Sequence, residues 1–434
     1  MNRAIAIRCL SLYLPAVAAL LLAFFRRGGR QLLGGTLLGM AWAFVSLVAL
    51  QLLNLRAGWW QFNAQGGLFR GMPVDLLLGW TVMWGAIPIL AFRRMNVAAV
   101  VAIFAAIDLV LMPACRPVVE LGNGWPAGEV VALVFVLVPA LLLARSTSND
   151  ANLRTRATMQ VALTGGIFLF LLPEIVFELR SDRGWEPLLS SSIWIRDLKL
   201  QGIALLGLFG VSAVQEFATR GGGTPIPYDA PKRLVTSGLY RYIANPMQFS
   251  CATVMVAWGA VLRNPWVSAA GVMSFVYGAG IAHWDEGEDL KVRFGNNWRR
   301  YRANVKDWRF RLTPWIDPEG PIARLYVAET CGPCSQVRRW FERHHARGVE
   351  IVAAEDHPSR DLRRITYDPM DGCEPEDGVR AIGRGLEHLN VGWAIAGAAL
   401  RLPVISQFVQ LLMDASGFGP MLVKRRICVK RQTN

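Results

Sequence analysis

Charge is what this chain is short of. Asp, Glu, Lys and Arg make up 18% of its 434 residues, where an ordinary soluble domain carries about a quarter. The deficit excludes a wholly soluble enzyme, because it is not spread evenly. Long apolar runs fill the sequence up to about residue 283, and the remainder reads as soluble protein. A secreted disulfide framework is also missing. Of seven cysteines, Cys9, Cys115 and Cys251 lie in or beside apolar runs, Cys373 and Cys428 stand alone, and only Cys331 and Cys334 form a CxxC. The first apolar run has no small-x-small cleavage site after it, so it reads as a membrane span and not as a signal peptide. No stacking-aromatic pattern accompanies the net charge of +14, which argues against nucleic acid as a partner. There is no internal repeat.

What is present is a series of runs long enough to cross a bilayer, which takes about 20 apolar residues. They fall near 4–25, 32–53, 74–92, 97–113, 127–144, 158–179, 201–218, 248–262 and 266–283. The fold class expected is an all-α polytopic membrane bundle of about nine spans, followed by a small α/β domain. The last two runs are short and separated only by Arg263-Asn264-Pro265, which predicts a tight helical hairpin. The excess positive charge sits in alternate loops. Arg26, Arg27 and Arg30 follow the first span, Arg93 and Arg94 the third, Arg145, Arg154 and Arg156 the fifth, and Arg220, Lys232, Arg233 and Arg241 the seventh. The positive-inside rule puts these loops and the long basic tail in the cytoplasm, in a multi-pass protein of a bacterial inner membrane. Arg3 and Arg8, on the opposite side, fit this less well.

Two acids interrupt the apolar runs, Asp108 in the fourth and Glu174 in the sixth. An acid within a membrane is a functional candidate by default, although with no partner visible the structural role is favoured for both. From Gly221-Gly222-Gly223-Thr224-Pro225-Ile226-Pro227 onward a flexible, then extended loop is expected. Residues 284–315 are charged and aromatic and predict a helix stopped at Gly295, then a second amphipathic helix ending before Pro314. Residues 322–328 read as a strand, Cys331-Gly332-Pro333-Cys334 opens a helix running to about His345, and 349–353 reads as a second strand. The apolar stretch 391–413, broken by Arg401 and Pro403, reads as a packed or membrane-surface helix pair and not as a tenth span. These divisions give domains at 1–157, 158–318 and 319–434.

The segment Leu234-Val235-Thr236-Ser237-Gly238-Leu239-Tyr240-Arg241-Tyr242-Ile243-Ala244-Asn245-Pro246-Met247-Gln248 follows the Gly/Pro loop and leads into the hairpin. Glu286 and then Phe294-Gly295-Asn296-Asn297-Trp298-Arg299-Arg300-Tyr301 follow the hairpin. In that order and spacing, over about 220–315, these elements resemble the isoprenylcysteine carboxyl methyltransferase family and its phospholipid methyltransferase relatives. The first 150 residues lie outside the resemblance. It implies a membrane enzyme that uses S-adenosyl-L-methionine. Its cofactor contacts would fall on Lys232, Arg233, Leu234, Val235, Tyr240, Asn245, Pro246, Met247, Gln248 and Glu286. Physical chemistry agrees with the location. The cofactor is cytosolic, a loop of N–H groups and basic side chains suits its carboxylate, an acid suits its cationic end, and methyl transfer depends chiefly on alignment. Each residue also has a plainer reading: Asn245-Pro246 as a turn that starts a helix, Lys232 and Arg233 as positive-inside anchors, and Glu286 as a solvated acid.

The sequence departs from that family's pattern at three places. Gly287 stands where a second acid is usual, and Gln248 where a Tyr closes the Asn-Pro element. Ala282, with His283 beside it, stands where prenylcysteine-methylating members carry an Arg that holds the substrate carboxylate. A prenylated cysteine therefore gives way to an open choice of acceptor: a phospholipid amine, a small lipid or a thiol, with the bilayer favouring a lipophilic one.

Residues 322–420, with Cys331-Gly332-Pro333-Cys334 after the first strand and the tail Asp414-Ala415-Ser416-Gly417-Phe418-Gly419-Pro420, are similar to the DCC family of thioredoxin-like proteins. This implies a redox pair in which Cys331 attacks, favoured as thiolate by the helix dipole, and Cys334 resolves, with a cytosolic thiol reductant as partner. Zinc would need two further ligands, and Cys373 with His344 or His345 makes an irregular set. The leading expectation is a membrane methyltransferase with an attached thiol–disulfide domain. The alternatives are a membrane-anchored thiol–disulfide oxidoreductase, or an NADPH-dependent reductase on the same scaffold.

Overall fold

The computed structural model describes residues 3–26, 28–226, 229–277 and 283–426, without the side chains of 277, 283–288 and 333. The chain forms two compact units, Met1–Pro187 with Thr224–Ala230, and Leu188–Gly223 with Pro231–Asn434. The segment preceding the hairpin and the C-terminal sheet, which the sequence separates at 318/319, share the second unit.

Seven helices among the described residues are long and apolar enough to cross a membrane, which makes this a multi-pass membrane protein: α1 Arg3–Arg26, α2 Arg30–Ala57, α3 Val74–Phe92, α4 Val97–Ala114, α5 Trp125–Ser148, α6 Leu153–Arg180 and α7 Ile193–Gly221. The eighth and ninth expected spans are the helices α8 Pro246–Val261 and α9 Pro265–Tyr277, 16 and 13 residues long. At 1.5 Å per residue they reach only about 24 and 20 Å, short of a full crossing. Among the described residues seven helices pass as full-length spans, or eight if the bent pair Val391–Leu400 and Pro403–Phe418 counts as one, against the nine or so expected. A stretch of the ninth, 278–282, lies outside the described residues.

The first unit is built on α2, α3 and α5, whose buried Ala43, Leu47, Leu76, Ile89, Leu137 and Ala140 form its core. Small residues let these helices approach. A Cβ on Gly39 would come within 2.7 Å of the Gly85 carbonyl oxygen, and one on Gly85 within 2.5 Å of Met40 Cα. In lipid, helix association depends on such close packing because burial from water no longer drives it. Short antiparallel strand pairs, β1 Trp60–Phe62 with β4 Val119–Leu121 and β2 Leu68–Phe69 with β3 Met72–Pro73, tie the loops at one end.

The intramembrane acids have partners that spacing did not reveal. Glu174, 1% exposed, accepts from Arg70 Nε at 2.6 Å and from the Trp185 indole N–H. Arg70 comes from the β2–β3 turn, 104 residues upstream. Asp108 lies beside a second buried acid, Glu129 of α5. Arg8 is equally engaged. It bonds Asp75 at 2.6 Å and the carbonyls of Gln65 and Gly66. Its place on the less basic side therefore has a structural cause.

In the second unit α8 packs along α7 and turns back into α9. Asn264 makes the turn by accepting from the N–H groups of Trp266 and Val267 at 3.0 and 3.2 Å, an N-terminal cap. Beyond it runs α10, His283–Asn304. Gly295 divides this stretch into two helices, as the sequence predicts. It sits at φ 53°, ψ −123° at the kink between them, a backbone geometry that glycine alone adopts without strain. The second of the two ends at Asn304, well short of Pro314, and 305–315 is an irregular strap. The reason is visible in the main-chain bonds, which the strap makes to the 240–244 segment instead of to itself.

The C-terminal sheet has strand order β6-β5-β7-β8, with β5 Ala323–Val327 and β6 Val349–Ala353 parallel and β7 Thr366–Asp368 and β8 Glu376–Asp377 antiparallel. Helix α11 Gly332–Arg343 connects the parallel pair. Helices α12 Val379–Leu386 and α13 Val391–Leu400 cross through glycines: a Cβ on Gly397 would lie 2.3 Å from the Gly383 carbonyl oxygen. Helix α14 Pro403–Met413, continued to Phe418, leaves α13 at 86°.

Candidate functional site

The residues 232–248 are held from both sides. The backbone N–H groups of Lys232 and Arg233 bond the Gly221 carbonyl at the end of α7, at 2.7 and 3.2 Å. Tyr301 of α10 donates its hydroxyl to the Tyr240 carbonyl at 2.8 Å. The strap adds three main-chain bonds, Ala244 N–H to Lys306 at 2.9 Å, Arg311 N–H to Tyr242 at 3.0 Å and Trp315 N–H to Arg241 at 3.0 Å. Ala244, Tyr301, Val305 and Trp315 seal the join as one apolar cluster. Two segments that lie about 60 residues apart on either side of the hairpin thus become one surface.

Within that surface the expected contact residues differ in what they offer. Val235 and Tyr240 are each 5% exposed and packed among Ala213, Tyr242, Ala394 and Ala398, so their side chains belong to the core. Lys232 and Arg233 are exposed, and Leu234, Asn245, Met247 and Gln248 are half-buried. Asn245 precedes α8 and Pro246 opens it, so the turn reading is also satisfied. Gln248 has its Oε1 buried with no partner among the described residues. The Glu286 side chain lies outside the described residues.

A group that no sequence pattern singles out organises this region. Glu216, near the end of α7 and 2% exposed, bonds Arg384 Nη1 and Arg401 Nη2, both at 2.7 Å. Ser237 donates its hydroxyl to the same carboxylate. Gly238, at φ 61°, has Glu216 where a side chain would stand, with the nearest atoms 3.1 Å from an added Cβ. The Ser-Gly of the motif therefore wraps an acid. Glu376 and Glu387 complete the network, at 2.7 Å from Arg384 Nε and 2.5 Å from Arg401 Nη1. Burial opposes ionisation of Glu376, but Arg384 and Arg401 overcome it and hold its carboxyl at about 2.

A cavity of about 330 Å³ opens beside this network. Motif residues Arg233, Thr236 and Arg241 line it, together with Arg220, Arg384 and Cys373. Arg233 Nη1 lies 3.3 Å from the Cys373 sulfur. Behind the wall, His388 donates Nδ1–H to the Arg347 carbonyl at 2.7 Å and accepts the Tyr367 hydroxyl at Nε2, 2.9 Å away. Burial first, and Arg241 second, push His388 well below the usual imidazole range, so the ring is neutral.

The CxxC lies elsewhere in the second unit. Cys331 caps the N-terminus of α11, and its sulfur is 2.6 Å from that of Cys334. Burial, then the neighbouring Cys331, push the Cys334 thiol up to about 12. Glu355 sits beneath the loop before the motif. It accepts from the backbone N–H groups of Glu329 and Thr330 and from the Thr330 hydroxyl. Burial raises its carboxyl, but these donors win and hold it below the ordinary range. His344 stacks on Trp340, with ring centroids 4.2 Å apart, and bonds its carbonyl through Nδ1. Cys428 falls outside the described residues.

Comparison of the chain with protein-family models, with curated proteins and with solved structures returns no match.

Proposed function

We propose that the second unit is an S-adenosyl-L-methionine-dependent methyltransferase that acts at a membrane on a lipophilic acceptor. The observation that carries the reading is the joining of 232–248 to 283–315 through Tyr301, Lys306, Arg311 and Trp315. The motif elements matter together, and they meet at one end of the short hairpin α8–α9. The residues fit the cofactor in kind. Lys232 and Arg233 are exposed cations suited to its carboxylate. The buried Oε1 of Gln248 suits an ammonium or amino group. When bound, the cofactor would supply an electrophilic methyl on a sulfonium.

The chain's own contribution is then positional. The strap and α10 fix the backbone of 240–244, so the flanking side chains hold one geometry at little entropic cost on binding. An acceptor that is neutral and lipophilic needs no counter-ion, which agrees with Ala282 in place of an arginine.

Titration of the detergent-solubilised chain with S-adenosylmethionine tests this. Saturable binding that Glu286→Ala and Gln248→Leu each weaken by about tenfold is expected, the loss of a hydrogen bond to a charged group. No affinity in the wild type removes the reading.

A second reading rests on a separate observation. Cys331 sits at a helix N-terminus with Cys334 in sulfur contact, and the sheet order β6-β5-β7-β8 with its parallel βαβ start is compatible with a thioredoxin-like domain. We infer a dithiol in which Cys331 attacks, while Cys334 keeps its proton until the second step. Reduction of a model disulfide by the wild type and not by Cys331→Ser is the expected result.

A further inference from the structure

We propose that the arginine-lined cavity beside the 234–241 turn binds a small phosphate-class oxyanion. The cavity measures about 330 Å³ and takes its wall from Arg220, Arg233, Arg241 and Arg384, a volume at the lower end for small-molecule sites. Two of these guanidinium groups are compensated. Arg384 pairs with Glu216, Glu376 and Glu387, and Arg220 with Asp371 at 3.5 Å and Glu376 at 3.7 Å. Arg233 and Arg241 have no carboxylate partner among the described residues, and the nearest polar contact of Arg233 is a thiol. The wall acids are already taken, Asp371 by Arg220 and Asp317 by Arg300 at 3.3 Å.

Donors therefore exceed acceptors around this space. Arg384 is 1% exposed, and among the described residues its Nη2 has no acceptor, nor has Arg241 Nε. Four arginines on one wall, two of them without a carboxylate partner among the described residues, suit a ligand with several acceptor oxygens. Two uncompensated cations match the charge of a phosphate group, which is about −1.5 to −2 at neutral pH. Guanidinium forks also match the spacing of its oxygens. Free phosphate and a phosphate ester share this chemistry. The site borders the proposed cofactor position and shares Arg233 and Leu234 with it, while Tyr240, Asn245, Pro246, Met247 and Gln248 do not line it.

The test is calorimetric titration of the full-length, detergent-solubilised protein in phosphate-free buffer, with inorganic phosphate in one arm and adenosine 5′-monophosphate in the other. We expect saturable one-site binding that weakens as sodium chloride is raised. Arg241→Gln and, separately, Arg233→Gln should each weaken it about tenfold. Neither substitution strands a carboxylate, so both variants should fold, with thermal unfolding as the check. Comparable affinity in both arms identifies free phosphate as sufficient, and tighter binding of the nucleotide identifies an ester. No saturation in either arm at millimolar ligand, or unchanged affinity in both variants, overturns the proposal. S-adenosylmethionine titrated alongside separates the two claims: phosphate binding without cofactor binding would leave this site standing and remove the methyltransferase.

Discussion

At the scale of single residues, the account turns on charges that are buried and matched. Glu216 holds two buried arginines, Arg384 and Arg401. Removing one member of such a set leaves the others buried and unpaired, at a cost of about 3–5 kcal/mol. Glu216→Gln should lose stability on that scale in denaturant titrations followed by tryptophan fluorescence, and a change below about 1 kcal/mol would show that the network relaxes. Two titrating groups set the acid response. His388 is neutral when folded and has its protonation pushed down, so the unfolded chain binds the proton first. Its contribution is fully present above about pH 6.5 and is lost as pH falls below that value. His357 shifts in the same direction, from burial and then Arg360. Glu376, held at about 2 when folded, contributes above the ordinary carboxyl range, and its contribution is lost as pH falls from about 4.5 towards 2. Unfolding midpoints measured from pH 8 to 3 should therefore fall in two stages, and His388→Gln should flatten the first without touching the second.

At the scale of elements, the helical runs and the β–CxxC–α–β start are legible in the sequence. Each depends on a local pattern: about 20 apolar residues, or a strand that ends at Cys331 on a helix. The hairpin turn at Asn264 is legible for the same reason. What the sequence hides is pairing at a distance. Glu216 and Arg401 lie 185 residues apart, and each alone reads as an ordinary charge. Arg401 reads as a break in an apolar stretch. Arg70 and Glu174 escape notice for the same reason. Gly295 is legible in the sequence, because a glycine at a break in the helical pattern is a local signal. The structure makes it a kink at φ 53°, so Gly295→Ala should cost about 1–3 kcal/mol, measured as a lowered unfolding midpoint. A neutral result would mean that α10 straightens at no cost. At the α12–α13 crossing, Gly397→Ala forces a methyl against the Gly383 carbonyl. About 1–3 kcal/mol of overpacking is expected there too, with the C-terminal segment becoming sensitive to protease.

At the scale of the whole molecule, the seven membrane-length apolar helices among the described residues are joined by loops of which every second one is basic. If the positive-inside rule sets the orientation, single cysteines placed at Met95 and at Asn123, in the loops on either side of α4, must differ. In intact cells of a cysteine-depleted variant, Met95→Cys should be shielded from an impermeant maleimide, and Asn123→Cys should react. The reverse pattern would invert the orientation and put 232–248 on the wrong side for a cytosolic cofactor. The central claim is methyl transfer to a lipophilic acceptor, and it is tested most directly by incubating membranes that contain the chain with methyl-labelled S-adenosylmethionine and counting the organic extract. The account predicts label in a lipid-soluble product, lost with Glu286→Ala and retained with Cys331→Ser. Label that never exceeds the level of membranes lacking the chain, across extracts that supply phospholipid, small-lipid and thiol acceptors, would contradict it.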